Sequence, residues 1–152
     1  PTPKDIAEIA RGNCAGNRAA AIEAWRRLGE VTGDAMGNVL TVVDGIGVIG
    51  GGLSLAPDLF MPTLVAELNS NYTAPNGNKF RRLASKAFNL DDPKDLEIFL
   101  KGETREITVP GTSKKMQYDP LQRLGVGISR LGTSEAINIG AYAYALHALD
   151  AK

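Results

Sequence analysis

The sequence has one cysteine and one histidine among its 152 residues, and it has no excess of charge. Its seventeen basic and seventeen acidic residues give a formal net charge of zero, so nothing in the charge predicts a nucleic-acid or acidic-membrane partner. The lone Cys14 cannot form an internal disulfide. No apolar run reaches the ~18 residues of a membrane span, and no signal-peptide pattern follows Pro1. We therefore expect a soluble cytoplasmic protein without a membrane partner.

The apolar content is sufficient for one domain. Of the 152 residues, 43% are hydrophobic and 22% are charged. A chain of this length can bury one sizeable core, and two complete domains would leave each with too little. We therefore treat residues 1–152 as a single unit, and we interpret the initial Pro1 as the start of a processed chain or a fragment.

A long helix is predicted over residues 19–43. Apolar residues recur there at steps of three and four, which is the period of an amphipathic helix. Gly29, Gly33 and Gly37 are spaced by four on the same helix, although each glycine costs ~1 kcal/mol relative to alanine. Such a strip favours close packing against another backbone, and the charged residues of this segment exclude a membrane dimer motif.

A cluster of glycines follows in the stretch DGIGVIGGGLSLAPDLF, residues 44–60. Because a helix precedes the cluster, we expect the short run Ile46–Ile49 to be a buried strand and the next helix to begin near Pro57. Gly50, Gly51 and Gly52 then form the turn at the carboxyl end of that strand. Ligands bind at this end of α/β sheets, and successive glycines let a flat or charged ligand contact the main chain directly.

Two alternatives remain for the glycine cluster. Residues 45–50 also fit the G-x-G-x-x-G pattern of NAD-binding turns, which requires a strand before Gly45. In that case Val39–Val43 is the strand and Glu67 is the acid that binds the ribose. The turn is also compatible with no ligand at all, as a tight corner between a strand and a helix.

The rest of the chain alternates short elements with turns. Residues 78–88 are predicted as a basic amphipathic helix, and Asp92 caps a short helix that ends at Gly102. Two extended runs joined at Pro110-Gly111 predict a β-hairpin. We interpret residues 71–118 as an inserted accessory subdomain. A strand in GVGISR follows, and then a final helix capped by Thr133 or Ser134, whose expected inward side chains are Ile137, Ala141, Tyr144 and Leu146.

Together these motifs resemble the carboxyl-terminal part of bacterial glucokinases, sugar kinases of the ROK group within the actin-like ATPase superfamily. The resemblance covers most of residues 19–70 and 121–149, through the long helix, the I-G-G-G run, the strand GVGISR and the helix that opens L-G-T-S-E-A. It implies an RNase H-like α/β half-domain with a long helix, a Gly-rich strand-turn-helix, an inserted helix plus β-hairpin and a C-terminal helix.

The same resemblance implies a function. Gly50, Gly51 and Gly52 would approach the adenosine and α-phosphate of ATP, with Leu53 and Ser54 beside them. The parent would be a homodimeric glycolytic hexokinase that uses Mg²⁺ and ATP to phosphorylate the 6-hydroxyl of glucose or a related hexose. The alternative is a non-catalytic, sugar-responsive transcriptional repressor of the ROK group.

Three motifs of such kinases are missing from this sequence. They are the D-x-G-x-T phosphate loop, the Asn-Asp pair that contains the catalytic base, and the E-x-G-H sugar motif. The single His147 has no glutamate and glycine before it and is interpreted as a helix-surface residue. We therefore assign no catalytic, sugar-binding or metal residue, and we expect the chain alone to be inactive, since phosphoryl transfer depends on positioning, Mg²⁺ and a base.

Overall fold

The computed structural model describes residues 1–150, which form an α/β structure. Its helices are α1 (Pro3–Arg11), α2 (Arg18–Val42), α3 (Pro57–Leu68), α4 (Pro93–Lys101) and α5 (Thr133–Asp150), with a 3-10 turn at Gly52–Leu55. Its strands are β1 (Gly47–Ile49), β2 (Asn71–Thr73), β3 (Lys79–Arg81), β4 (Lys86–Asn89), β5 (Arg105–Thr108), β6 (Lys115–Tyr118) and β7 (Arg123–Ile128).

The main sheet has three parallel strands in the order β1-β7-β4. Gly47 pairs with Val126, and Phe88 pairs with Gly125. Helices α2 and α3 cover one face, and α4 packs on the other, where the rings of Phe88 and Phe99 lie 6.0 Å apart. The pairs β2-β3 and β5-β6 form two antiparallel hairpins outside this sheet.

The core lies between α1, α2, α3 and one face of the sheet. Trp25 stacks on Phe60 with ring centroids 6.1 Å apart, and Leu64, Leu68 and Val126 are fully buried. The glycine strip of α2 is buried against α3, which confirms the interpretation of Gly29, Gly33 and Gly37 as a close-packing surface. At the start of α2, the side chain of Asn17 accepts a hydrogen bond from the Ala20 N–H and caps the helix.

Most predicted elements are confirmed with small shifts of their ends. The long helix spans Arg18–Val42, the strand among the glycines is Gly47–Ile49, and α3 begins at Pro57. Asp92 caps α4, whose last residue precedes Gly102. The predicted hairpin and the strand of GVGISR are β5-β6 and β7. The mixed α/β class is therefore confirmed, whereas the finer RNase H-like assignment stays a prediction.

Two predictions are wrong. Residues 78–88 contain no helix: they provide β3 and the start of β4, because each segment has a strand partner elsewhere in the chain. Since β4 pairs with β7 in the main sheet, the accessory subdomain predicted for residues 71–118 cannot include β4, and it stays a prediction for the hairpins and α4. The apolar side chains of α5 do not turn inward, since Ile137, Ala141, Tyr144 and Leu146 are all exposed.

Candidate functional site

The glycine-rich turn leaves the carboxyl end of β1. Gly50 follows the strand directly, Gly51 has a φ of +88°, and Gly52 is the first residue of the 3-10 turn that leads to α3. A positive φ of this size favours glycine, because a side chain would be strained there. The strand, turn and helix therefore follow in the order that the sequence predicted, with the glycines at the ligand-binding edge of the sheet.

The turn presents bare main chain to open space. A Cβ added at Gly51 or Gly52 would meet no atom within 4 Å, and one at Gly50 would only touch the Cβ of Ser129 at 3.7 Å. By contrast, a Cβ at Gly125 would stand 2.5 Å from Leu90, so that glycine is required by packing. Packing within the described residues does not require Gly52, and its φ lies outside the positive range. The absence of a side chain at Gly52 thus leaves the backbone accessible to another molecule.

The two other predicted site residues have different roles. Ser54 donates both its hydroxyl and its N–H to the carbonyl oxygen of Gly51, at 2.6 and 3.1 Å. Its hydroxyl therefore stabilises the turn from within. Leu53 lines a mostly apolar cavity of about 270 Å³. The walls of this cavity are the turn, α1 and the indole of Trp25.

Sequence reasoning missed three polar side chains near this edge. Ser129 follows β7 and lies beside Gly50. Asp91 follows β4, and its carboxylate accepts a hydrogen bond from the N–H of Ile128 at 2.7 Å. Arg11 of α1 lines the cavity below Leu53. The signal for the first two was available, because carboxyl ends of neighbouring parallel strands meet at one edge.

An ion pair fixes α1 beside the turn. The guanidinium of Arg11 donates to both carboxylate oxygens of Asp58, in the first turn of α3, at 3.1 and 2.6 Å. These hydrogen bonds, with a smaller Coulombic contribution from the same guanidinium, hold the pKa of Asp58 below its usual 3.8, while partial burial opposes the shift. The pair joins α1 to α3 and stabilises the wall of the cavity.

The NAD-binding alternative is wrong. It required a strand at Val39–Val43, but α2 continues to Val42. It also required Glu67 as a ribose ligand, but Glu67 lies on α3 and pairs with Arg82 at 2.8 Å. The G-x-G-x-x-G spacing arises because glycines flank β1 on both sides.

The described residues were also examined for metal and membrane features. No group of three or more His, Cys, Asp or Glu side chains in residues 1–150 is placed to hold a metal ion. Among the helices of the same residues, none has the combination of length and apolar character that a membrane crossing requires.

Comparison with known proteins gives one structural match to report. The crystal structure of a glucokinase from Parabacteroides distasonis superposes with a TM-score of 0.80 at 44% sequence identity. The resemblance to a glucokinase is confirmed. The match covers 97% of this chain, which spans 39% of the length of that glucokinase. No protein-family model matches the chain, and the curated proteins give no significant match. Nothing in these comparisons supports the repressor alternative.

Proposed function

We propose that this chain is the carboxyl-terminal, nucleotide-side portion of an ATP-dependent glucokinase. The observation that supports it best is the open glycine turn after β1, which stands at the sheet edge where α/β proteins bind ligands. The parent enzyme transfers the γ-phosphoryl group of ATP to the 6-hydroxyl of glucose, in the cytoplasm and as a homodimer.

In this proposal the backbone of Gly50, Gly51 and Gly52 approaches the adenosine and α-phosphate of ATP. Leu53 provides apolar surface beside the nucleoside, and Ser54 holds the turn in shape through its bonds to Gly51. Because a side chain at Gly52 would project into the open space beside the turn, it would compete with the ligand for that space.

The remaining parts of the reaction come from outside this chain. Residues 1–150 contain no side-chain cluster suited to Mg²⁺, and the sequence has neither the Asn-Asp pair nor the E-x-G-H motif. Phosphoryl transfer needs a positioned metal and a base for the sugar hydroxyl. The chain by itself therefore phosphorylates no hexose, and a coupled assay should detect no glucose-dependent ADP release.

The proposal is tested with substitutions at Gly52 in the parent enzyme. Gly52→Ala adds one methyl group in open space, and Gly52→Val adds a larger obstacle, without the positive φ that would strain Gly51→Val. We expect Gly52→Val to raise the KM for ATP roughly ten- to a hundred-fold, the effect of ~1 to 3 kcal/mol of lost contact. Gly52→Ala should have a smaller effect in the same direction.

The matched control is Gly45→Ala at the other end of β1, where a Cβ also meets nothing within 4 Å. It should leave the KM for ATP unchanged. Glucose affinity measured without nucleotide should stay the same in all three variants. A Gly52→Val enzyme with a normal melting temperature and a normal KM for ATP would mean that the turn is only a corner between strand and helix.

A further inference from the structure

One edge of the main sheet is uncovered. Strand β1 pairs only with β7 among the described residues, and the side chain of Val48 is 64% exposed. Strands of parallel sheets are normally covered by helices on both faces and are apolar for that reason. An exposed apolar strand at a sheet edge is a surface on which another strand can pair.

The backbone of Val48 is directed to this open edge. The carbonyl oxygen of Ile49 accepts a hydrogen bond from the N–H of Ser129 at 2.8 Å, so the polar groups of Ile49 are directed to β7. Backbone groups alternate in direction from one strand residue to the next. The N–H and C=O of Val48 therefore point away from β7, toward the space beyond the sheet.

Helix α2 extends over that same space. Between α2 and β1 lies an apolar groove of about 430 Å³. Its α2 wall includes Ala35, Met36, Val39 and Val43, and its β1 wall includes Ile46 and Val48. Val39 is 60% exposed although it belongs to the apolar stripe of the helix. A strand paired with β1 at the usual spacing of ~4.8 Å would lie beneath these side chains and bury them.

We propose that this groove holds a further β-strand from the remainder of the parent polypeptide, paired with the free edge of β1. The inference rests on the proposed function in one respect, that the chain is part of a longer kinase. The match supports it, because 97% of this chain corresponds to 39% of the glucokinase, which leaves most of that protein to supply the strand. The strand has apolar side chains on the face that contacts α2.

The amide of Val48 provides the direct test. Hydrogen exchange is measured by NMR on residues 1–152 alone and on the intact parent. We expect rapid exchange in the isolated chain and exchange at least about 100-fold slower in the parent, because a paired central strand opens only with the surrounding structure. Equal, rapid exchange in both proteins would overturn the proposal. Slow exchange in the isolated chain that depends on its concentration would also overturn it, since a second copy would then cover the edge.

A pair of valines on α2 gives matched variants. Val39→Asp places a carboxylate in the groove, whereas Val31→Asp places one at a position that is 69% exposed and does not line it. In the isolated chain the two variants should be similarly stable. In the parent, Val39→Asp should reduce the protection of the Val48 amide at least about ten-fold, because burying an unpaired charge is costly, and Val31→Asp should leave it within about three-fold. Equal effects in the parent would contradict the proposal.

Activity is measured in parallel so that the two proposals fail separately. A parent that protects Val48 but does not phosphorylate glucose would retain the strand and overturn the proposed function. A parent that phosphorylates glucose while Val48 exchanges freely would do the reverse.

Discussion

Gly29 of α2 lies against the carbonyl oxygen of Phe60 in α3, so close that a Cβ on Gly29 would stand 2.6 Å from that oxygen. Gly33 is in a similar position, 2.9 Å from the carbonyl oxygen of Leu64. Real Cβ atoms do not approach backbone oxygens to these distances, so the two helices are as close as they are only because these positions lack side chains.

Gly29→Ala should therefore destabilise the chain. In an exposed helix interior the same substitution stabilises by up to ~1 kcal/mol. Here the methyl group would push α3 away from α2, and we expect a net loss of about 1–3 kcal/mol in the free energy of unfolding, the usual cost of overpacking. Urea unfolding of the purified chain measures the change.

Gly140→Ala in α5 is the control, because a Cβ there meets nothing within 4 Å. It should leave the free energy of unfolding unchanged or slightly raised. A Gly29→Ala chain as stable as the unsubstituted one would mean that the helices can separate without cost.

Local patterns predicted the elements that depend on nearby residues. The period of α2, the proline at the start of α3 and the Asp92 cap act within a turn or two of the residues concerned. Strand β4 could not be found this way. Its residues pair with β7, more than thirty positions later, and that pairing decides the conformation of a segment whose charge pattern also fits a helix.

The candidate site was predictable for a related reason. The glycines are adjacent in sequence, so their turn and the positive φ at Gly51 follow from local rules. The closeness of Ser129 to Gly50 depends on the parallel pairing of β1 with β7, and the cavity beneath Leu53 depends on where α1 packs. Neither arrangement can be deduced from spacing along the chain.

A buried arginine connects three elements of the core. The side chain of Arg82 is only 4% exposed, and its guanidinium bonds to Glu67 on α3 at 2.8 Å and to Asp34 on α2. Arg82→Met keeps the length of the side chain but leaves Glu67 without its partner. Because removing one member of a buried pair is costly while exposed partners stay partly hydrated, we expect a loss of about 1–3 kcal/mol in the free energy of unfolding.

The control for Arg82 is Arg27→Met. Arg27 pairs with Glu23 at 2.8 Å, but its side chain is 73% exposed, so the free energy of unfolding should change by less than about 0.5 kcal/mol. Equal effects of the two substitutions would show that burial does not strengthen the contribution of Arg82.

The pair of Arg11 and Asp58 should make the stability depend on pH in acid. The hydrogen bonds from Arg11 lower the pKa of Asp58 below 3.8 in the folded state. The folded chain thus binds a proton here less readily than the unfolded chain. The stabilisation is fully present above 3.8 and is lost as the pH falls through the lower, folded pKa.

Asp58→Asn tests this linkage. At about pH 7 the variant should be less stable by about 0.5–1 kcal/mol, a small value because the carboxylate is half exposed and screened by solvent. The difference between the two proteins should shrink as the pH falls below 3.8. Urea unfolding at several pH values measures it, and a difference that stays constant down to about pH 2 would assign the effect to lost packing and not to the charge.

The β5-β6 hairpin should be dispensable for catalysis by the parent. Its strands pair only with each other, and Asp119 closes its base by accepting hydrogen bonds from the N–H groups of Glu103 and Leu121 at 3.1 and 3.0 Å. Deleting residues 104–117 removes the hairpin and keeps Asp119 beside Arg123, the partner with which it forms an ion pair.

Because the deletion leaves the glycine turn and the main sheet intact, we expect the turnover number of the parent to stay within a few-fold. The predicted role of the hairpin is packing or subunit contact, so the variant's molar mass and melting temperature are measured alongside its kinetics. A folded, dimeric variant whose turnover collapses would place the hairpin in the catalytic cycle. A variant that becomes monomeric but keeps its turnover would assign the hairpin to the subunit interface.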